Sequence, residues 1–314
     1  MNLEKPLVFE PIPMERVWGG RKLSAYGKSL PSGVPIGELW ELVDREDVQS
    51  VVHCGPLQGT TLNALWKNER AKIFGSRFVN CPSLRFPLLF KLLDAHDRLS
   101  VQVHPPEKIA TVLNAEPKTE VWYFLDTDPG AKIYAGLKRG TTRDHFEELL
   151  TSGQVEQVLH EIPVQIGGSI FIPSGRIHAI GAHNVIVEIQ QNSDTTFRVY
   201  DWNRLGLDGR PRQLHIHESL ASINFDDFEP EIQPPGQDIV ADCEFFRVRF
   251  MKISQPFAAS PTEEFSIYTV VSGRIHCGGD VFSVGHSFLV PAELHTIELH
   301  PVTADAAVLQ TTLP

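Results

Sequence analysis

Apolar and polar positions along the chain fall into short runs of a few residues, most of them closed off by Gly or Pro. Residues 100–104, 121–125, 169–172, 185–189 and 197–200 carry the β-branched and aromatic bias of strands. Helical spacing is confined to a few patches. Residues 60–66 read as a capped helix start, and residues 142–150 place apolar side chains at helical intervals on an otherwise polar segment. Many strands with frequent turns and few helices predict a mostly β protein, a sandwich or jelly roll rather than alternating βαβ units.

The pattern breaks at residues 228–236, which are acidic, rich in Pro and poor in large apolar side chains, as a linker or domain edge would be. Strand-like runs resume at 246–250, 265–271 and 281–284, so a catalytic domain over 1–228 and a smaller β domain over 229–314 are expected. The two parts share an echo. Residues 167–173 (GGSIFIP) resemble 285–291 (GHSFLVP), and each is followed by a histidine, His178 and His295.

Composition narrows the functional classes. The chain has 314 residues, of which 42% are hydrophobic, enough to build a large core. A net charge of −11 argues against a nucleic-acid or anionic-membrane binder, since both need a basic surface. The four cysteines are scattered with no C-x-x-C pair, which points to a reducing compartment rather than a disulfide framework. No secretory signal is visible, and no apolar stretch approaches the roughly 20 residues of a membrane helix, so a cytoplasmic location is expected.

The chemistry concentrates in a few positions. Gln102 and His104 sit two apart on a strand and share a face, leaving Leu99, Val101 and Val103 to the other. Alone, this pair reads better as a half-buried strand with a polar solvent face, and thirteen histidines offer chance combinations. A second pair of the same form, Lys118 and Glu120, and the later His178 add to it. One amide, two imidazoles and a carboxylate, with no thiolate, make an open site for zinc or another divalent first-row metal. Further on, alternation pairs Glu188 with Gln190 and Arg198 with Thr196 and Tyr200. Glu188 and Arg198 on adjacent strands read either as an ion pair or, with Lys118 and a metal, as a polyol-phosphate site.

Other motifs lead elsewhere or nowhere. His215 and His217 precede a helical segment that would split their directions, so capping or packing is expected of them. His96, His145, His160 and His183 read as surface or capping residues. Residues 20–29 end like a phosphate loop, but six residues separate the glycines where the motif needs four. No G-x-S-x-G elbow is present.

Several segments resemble the type I phosphomannose isomerases, which are double-cupin metalloenzymes. They are V-W-G-G at 17–20, G-E-L-W-E at 37–41, K-L-L-D-A at 91–95, L-S-V-Q-V-H-P at 99–105, K-T-E at 118–120, I-P-S-G-R-I-H-A-I at 172–180 and N-S-D-T-T-F-R-V-Y-D-W at 192–202. The resemblance implies two jelly-roll (cupin) β-barrel domains with a few added helices, the second degenerate and without metal. It implies one zinc per chain, held by Gln102, His104, Glu120 and His178. Arg198 is implied as the catalytic arginine, with Lys118, Glu188 and Asp194 in the substrate site. Trp18 would line the pocket and Arg204 would contact phosphate.

The implied reaction interconverts mannose 6-phosphate and fructose 6-phosphate by proton transfer between C1 and C2 through an enediol-type intermediate. Glu188, Asp194, Lys118 and a metal-held water all remain open as the base. A non-catalytic cupin that binds a sugar phosphate, and an isomerase of a related sugar phosphate, also remain open, as does the choice between a monomer and a weak homo-oligomer. The net charge does not exclude such a substrate. Lys118, Arg198 and Arg204 beside a dication act at short range, where distant surface acids are screened over about 8 Å.

Overall fold

Eight consecutive buried residues form strand β3 (Leu88–Ala95), and their side chains divide between two cores. Leu88, Phe90 and Leu92 enter one, while Leu93 and Ala95 enter the other. A strand reads as continuous apolar sequence when both faces of its sheet are covered. The computed structural model, which describes residues 3–260, 263–294 and 296–314, shows what covers each face. β3 belongs to a six-stranded antiparallel sheet in the order β1 (Ile12–Gly20), β2 (Ile36–Leu42), β3, β10 (Asn184–Gln191), β5 (Glu120–Thr127), β8 (Ser169–Ile172).

A second sheet covers the front of the first, in the order β11 (Phe197–Tyr200), β4 (Val101–Val103), β9 (His178–Ile180), β6 (Lys132–Leu137), β7 (Leu159–Pro163). Between them Trp122, Phe124, Ile170 and Ile186 pack on Ile133, Ala135, Ile162 and Ile180. A third, five-stranded sheet covers the back, where Val121, Tyr123, Val187 and Ile189 meet Val240, Val248, Ile267 and Leu309. A four-stranded sheet lies on the far side of the third, so that Tyr268, Val270 and Phe288 meet Ile275, Phe282 and Leu299. Four sheets thus stack as two facing pairs with a shared core in the middle. The protein is mostly β with few helices, as the pattern predicts, and each described sheet is open, with two edge strands.

Both expected helices are present and capped. The Thr61 side chain accepts from the Ala64 N–H at the start of Leu62–Asn68, and Thr142 does the same from His145 at Arg143–Thr151. At one end of the shared core, Trp66 packs edge-on against both Phe74 and Phe86, which are tilted at 34° to each other, and Phe265 meets Phe74 at 5.2 Å and Phe86 at 5.8 Å. No described helix is long and apolar enough to cross a membrane.

The echo between residues 167–173 and 285–291 has a structural counterpart. β8 is an edge strand on β5, which pairs in turn with β10. Ser287–Val290 is an edge strand on Ser266–Ser272, which pairs with Ala307–Thr312. In that register Ser266 and Tyr268 stand where Glu120 and Trp122 stand in the first sheet, and Gln310 stands where Glu188 does. His295 lies outside the described residues. Residues 228–236 run along the first pair of sheets, with Phe228 bridging Leu137 and Gln233 bridging Ser169.

Candidate metal centre and cavity

Strand alternation places a row of polar side chains on the front of the six-stranded sheet, within an otherwise apolar face. Glu188 on β10 lies opposite Lys91 on β3 and Trp122 on β5, and Glu120 lies opposite Gln190. On the facing sheet, Arg198 lies opposite Gln102, and Gln102 opposite His178. The two rows meet between the sheets.

Their meeting point is a buried cluster. His104 Nε2 is 3.6 Å from Glu120 Oε2, and His178 Nε2 is 3.6 Å from Glu120 Oε1. The nearest ligand atoms of the three residues all lie within 4.8 Å of one another. Each imidazole is turned by its other nitrogen. His104 Nδ1–H donates to the Thr195 carbonyl and His178 Nδ1–H to the Arg176 carbonyl, both at 2.8 Å. That leaves both Nε2 lone pairs facing the carboxylate, the arrangement usual for metal-binding histidines. Burial, joined for His104 by the Lys118 charge, takes both imidazoles down to about 4. They are therefore neutral near pH 7. Burial pushes the Glu120 carboxyl up, but the Lys118 ammonium and the two imidazoles outweigh it and hold the group well below the carboxylate range.

Apart from the Lys118 ammonium, 2.5 Å from Oε2, no donor among the described residues reaches either Glu120 oxygen. An ionised, buried carboxylate without its hydrogen bonds is costly unless a cation takes their place. Gln102 completes the set, its amide nitrogen 3.2 Å from His178 Nε2. A half-turn of that amide presents its oxygen instead. Two neutral imidazoles, a carboxylate and an amide fit a divalent first-row metal.

Lys118 also begins a chain of alternating charges. Its ammonium lies 3.7 Å from Glu188 Oε1, which lies 3.1 Å from Lys91 Nζ, which in turn lies 3.9 Å from Glu38 Oε2. Arg16 closes the chain at 3.0 Å from Glu38 Oε1. Two indoles brace the carboxylates, Trp122 donating to Glu188 at 3.0 Å and Trp40 to Glu38 at 2.6 Å. Burial opposes the Lys118 charge, but Glu120 and Glu188 more than offset it and raise its pKa above the usual lysine value. Arg16, Glu38, Lys91, Lys118 and Glu188, with Gln102, Trp18, Asp194 and Arg198, line an open cavity of about 640 Å³ whose rim is formed by residues 206–208 and 211–213, while the two indoles and the His104, Glu120 and His178 side chains lie behind that lining.

The structure brings together nine of the ten site residues predicted from sequence. Arg204 is the exception. Its guanidinium is paired with Asp201 at 3.0 Å and Asp97 at 3.2 Å and does not line the cavity. Arg212, also paired with Asp201, is the arginine of this group that reaches the rim. Glu188 and Arg198 stand on facing sheets rather than adjacent strands, because the chain crosses between β10 and β11. Arg198 instead donates from Nη1 to the Gln213 carbonyl at 2.8 Å, and its Nε has no partner. Leu99, expected with Val101 and Val103, lies in a different core beside Trp18 and lines the cavity. His215 sits at the first position before its helix but does not cap it; its Nδ1 accepts the Arg198 N–H at 3.1 Å. Lys91, Glu38, Arg16 and Arg212 were not anticipated. The available signal was a lone charge inside apolar strands, LLFKLLDA and IGELWEL, since Lys and Glu are seldom fully buried unpaired.

Fold and site define a layered β protein with a buried His–Glu–His centre beneath a charged cavity. Residues 9–129 match the family model described as phosphomannose isomerase type I, catalytic domain. A mannose-6-phosphate isomerase of Bacillus subtilis is 35% identical over 309 residues, spanning 94% of this chain and 96% of its own. One from Streptococcus mutans is 34% identical over 282 residues, spanning 87% of this chain and 86% of its own. The crystal structure of the mannose 6-phosphate isomerase from Bacillus subtilis superposes with a TM-score of 0.86 at 29% identity, covering 98% of this chain and 100% of that one. This chain belongs to the type I phosphomannose isomerase family.

Proposed function

We propose that the protein is a zinc-dependent isomerase interconverting mannose 6-phosphate and fructose 6-phosphate, with one ion per chain. The observation that carries the reading is the Glu120 carboxylate, buried and ionised, with two neutral imidazoles turned towards it and its neighbours Lys118 and Gln102 lining a cavity. Gln102, His104, Glu120 and His178 would hold the ion, and when bound it supplies Lewis-acid polarisation of the sugar oxygens.

The chain's own residues supply the rest. Lys118, kept protonated by Glu120 and Glu188, delivers a proton to a sugar oxygen at the cavity floor. Glu188 and Asp194 are the lining carboxylates that would take the proton from C2 or C1, giving an enediol-type intermediate. Arg198 keeps its charge and offers an unpartnered Nε to the developing oxyanion. Arg212, on the rim, suits the phosphate. We also infer that the two pairs of sheets are flattened jelly-roll barrels of cupin type, over residues 1–228 and 229–314, the second without metal. Ser266 and Gln310 at the positions of Glu120 and Glu188 support this, since they remove both carboxylates.

Chelation tests the reading. Stripping metal should abolish conversion of mannose 6-phosphate to fructose 6-phosphate, and zinc should restore it. Full turnover in metal-free protein would refute the proposal. A panel of other sugar phosphates, assayed alongside, separates this substrate from its relatives.

A further inference from the structure

The turn between β8 and β9 carries one charged side chain, Arg176, that does not line the cavity. Its guanidinium makes a two-pronged pair with Asp227, Nε to Oδ2 at 2.7 Å and Nη2 to Oδ1 at 2.8 Å. The third nitrogen, Nη1, donates to the Phe171 carbonyl at 2.7 Å. One side chain thus joins the end of β8, the turn itself and the segment that leaves the second sheet. The backbone is tied at the same place. Gly175 donates to the His104 carbonyl, Asn224 donates to the Gly175 carbonyl, and Gly136 donates to the Ile177 carbonyl, each at 2.8 Å.

What makes this turn matter is the Arg176 carbonyl, the acceptor that orients the His178 ring. Rotation of that peptide would swing Nε2 away from Glu120 and Gln102. Through Gly175 the same turn is also coupled to His104. A planar guanidinium with three fixed donors can hold such a peptide in one orientation, whereas an ammonium, a single point charge, cannot fork between Asp227 and Phe171.

We propose that Arg176 and Asp227 are positioning residues for the metal centre, fixing the turn whose carbonyl aims His178. This rests on the metal reading of the cluster, and the test separates the two. Cobalt(II) is titrated into the metal-free full-length protein, with visible absorption reporting both affinity and coordination geometry. Arg176→Ala and Asp227→Asn should bind about tenfold more weakly than the unmodified protein and with a shifted band, the scale seen when groups behind a metal ligand are removed. Arg176→Lys should recover only part of the affinity. Phe265→Ala, which weakens a core remote from the site, should bind cobalt as the unmodified protein does. Clamp variants with unchanged affinity and spectrum would overturn the proposal, as would an equal loss of affinity in Phe265→Ala. If Arg176→Ala does not fold, Asp227→Asn and Arg176→Lys carry the same test. An unmodified protein that binds no cobalt overturns the metal reading, and the clamp with it.

Discussion

Glu38 is a buried carboxylate held by Arg16, Lys91 and the Trp40 indole. Burial alone would raise its pKa, but the two cations and the indole outweigh it and bring the group from 4.5 down to about 2. A depressed carboxylate contributes stability in full above its unfolded-state value and loses it as the pH falls towards the folded one. Its contribution, about 3 kcal/mol for a shift of this size, is therefore present above pH 4.5 and disappears as the pH falls towards 2. Glu38→Gln should be less stable than the unmodified protein at pH 6, with the gap in melting temperature closing on acidification; a gap that stays constant from pH 6 to 2 would contradict the pairing. At the rim, Arg212→Ala should raise KM for the sugar phosphate about tenfold with kcat little changed, as expected for a charged contact made equally in ground and transition states. Arg204→Ala should leave KM within about twofold, because its charge is spent on Asp201 and Asp97. The metal-type side chains were legible as residues two apart on strands. Lys91 and Glu38 were not, because their partners lie far along the chain and only the sheet register brings them together.

At the scale of elements, spacing found β4, β5, β8, β10, β11 and the two capped helices from local chemistry, but not β1, β2, β3, β6, β7 or β9. Pairing across the molecule was harder to read. β4 and β9 have only three residues each, too few to show which sheet they join, yet they carry or adjoin Gln102, His104 and His178. The short helices Leu62–Asn68 and Arg70–Ile73 hold the end of the shared core through aromatic contacts that converge on Phe265, at the start of a strand in the third sheet. Phe265 is fully buried, so Phe265→Ala leaves a cavity no neighbour can fill and should cost about 3–5 kcal/mol in denaturant unfolding. A loss below 1 kcal/mol would mean that the aromatic cluster repacks freely.

For the whole molecule, the decisive feature is that the back of the six-stranded sheet is finished by the third sheet. The break at 228–236 reads in sequence as a boundary between independent parts, and nothing local reveals that a core spans it. Residues 1–228 expressed alone should expose Val121, Tyr123, Val187 and Ile189 and accumulate as aggregate, whereas the full chain should unfold in one transition. A soluble, folded 1–228 fragment with native metal affinity would show the two halves to be separable.

The doubly covered sheet also divides the molecule in time. Amides of β3, β5 and β10 sit between two layers and exchange with solvent only when the whole structure opens, on the slowest scale available to the chain. Residues 206–213, a glycine-containing loop with Leu207 55% exposed, should exchange sooner, although Arg212 and Gln213 are tied to Asp201 and Arg198. The cavity is therefore expected to have a floor that opens only with the whole structure and a rim that opens locally. Local opening at the rim would then admit a ligand without disturbing the spacing of the charges beneath.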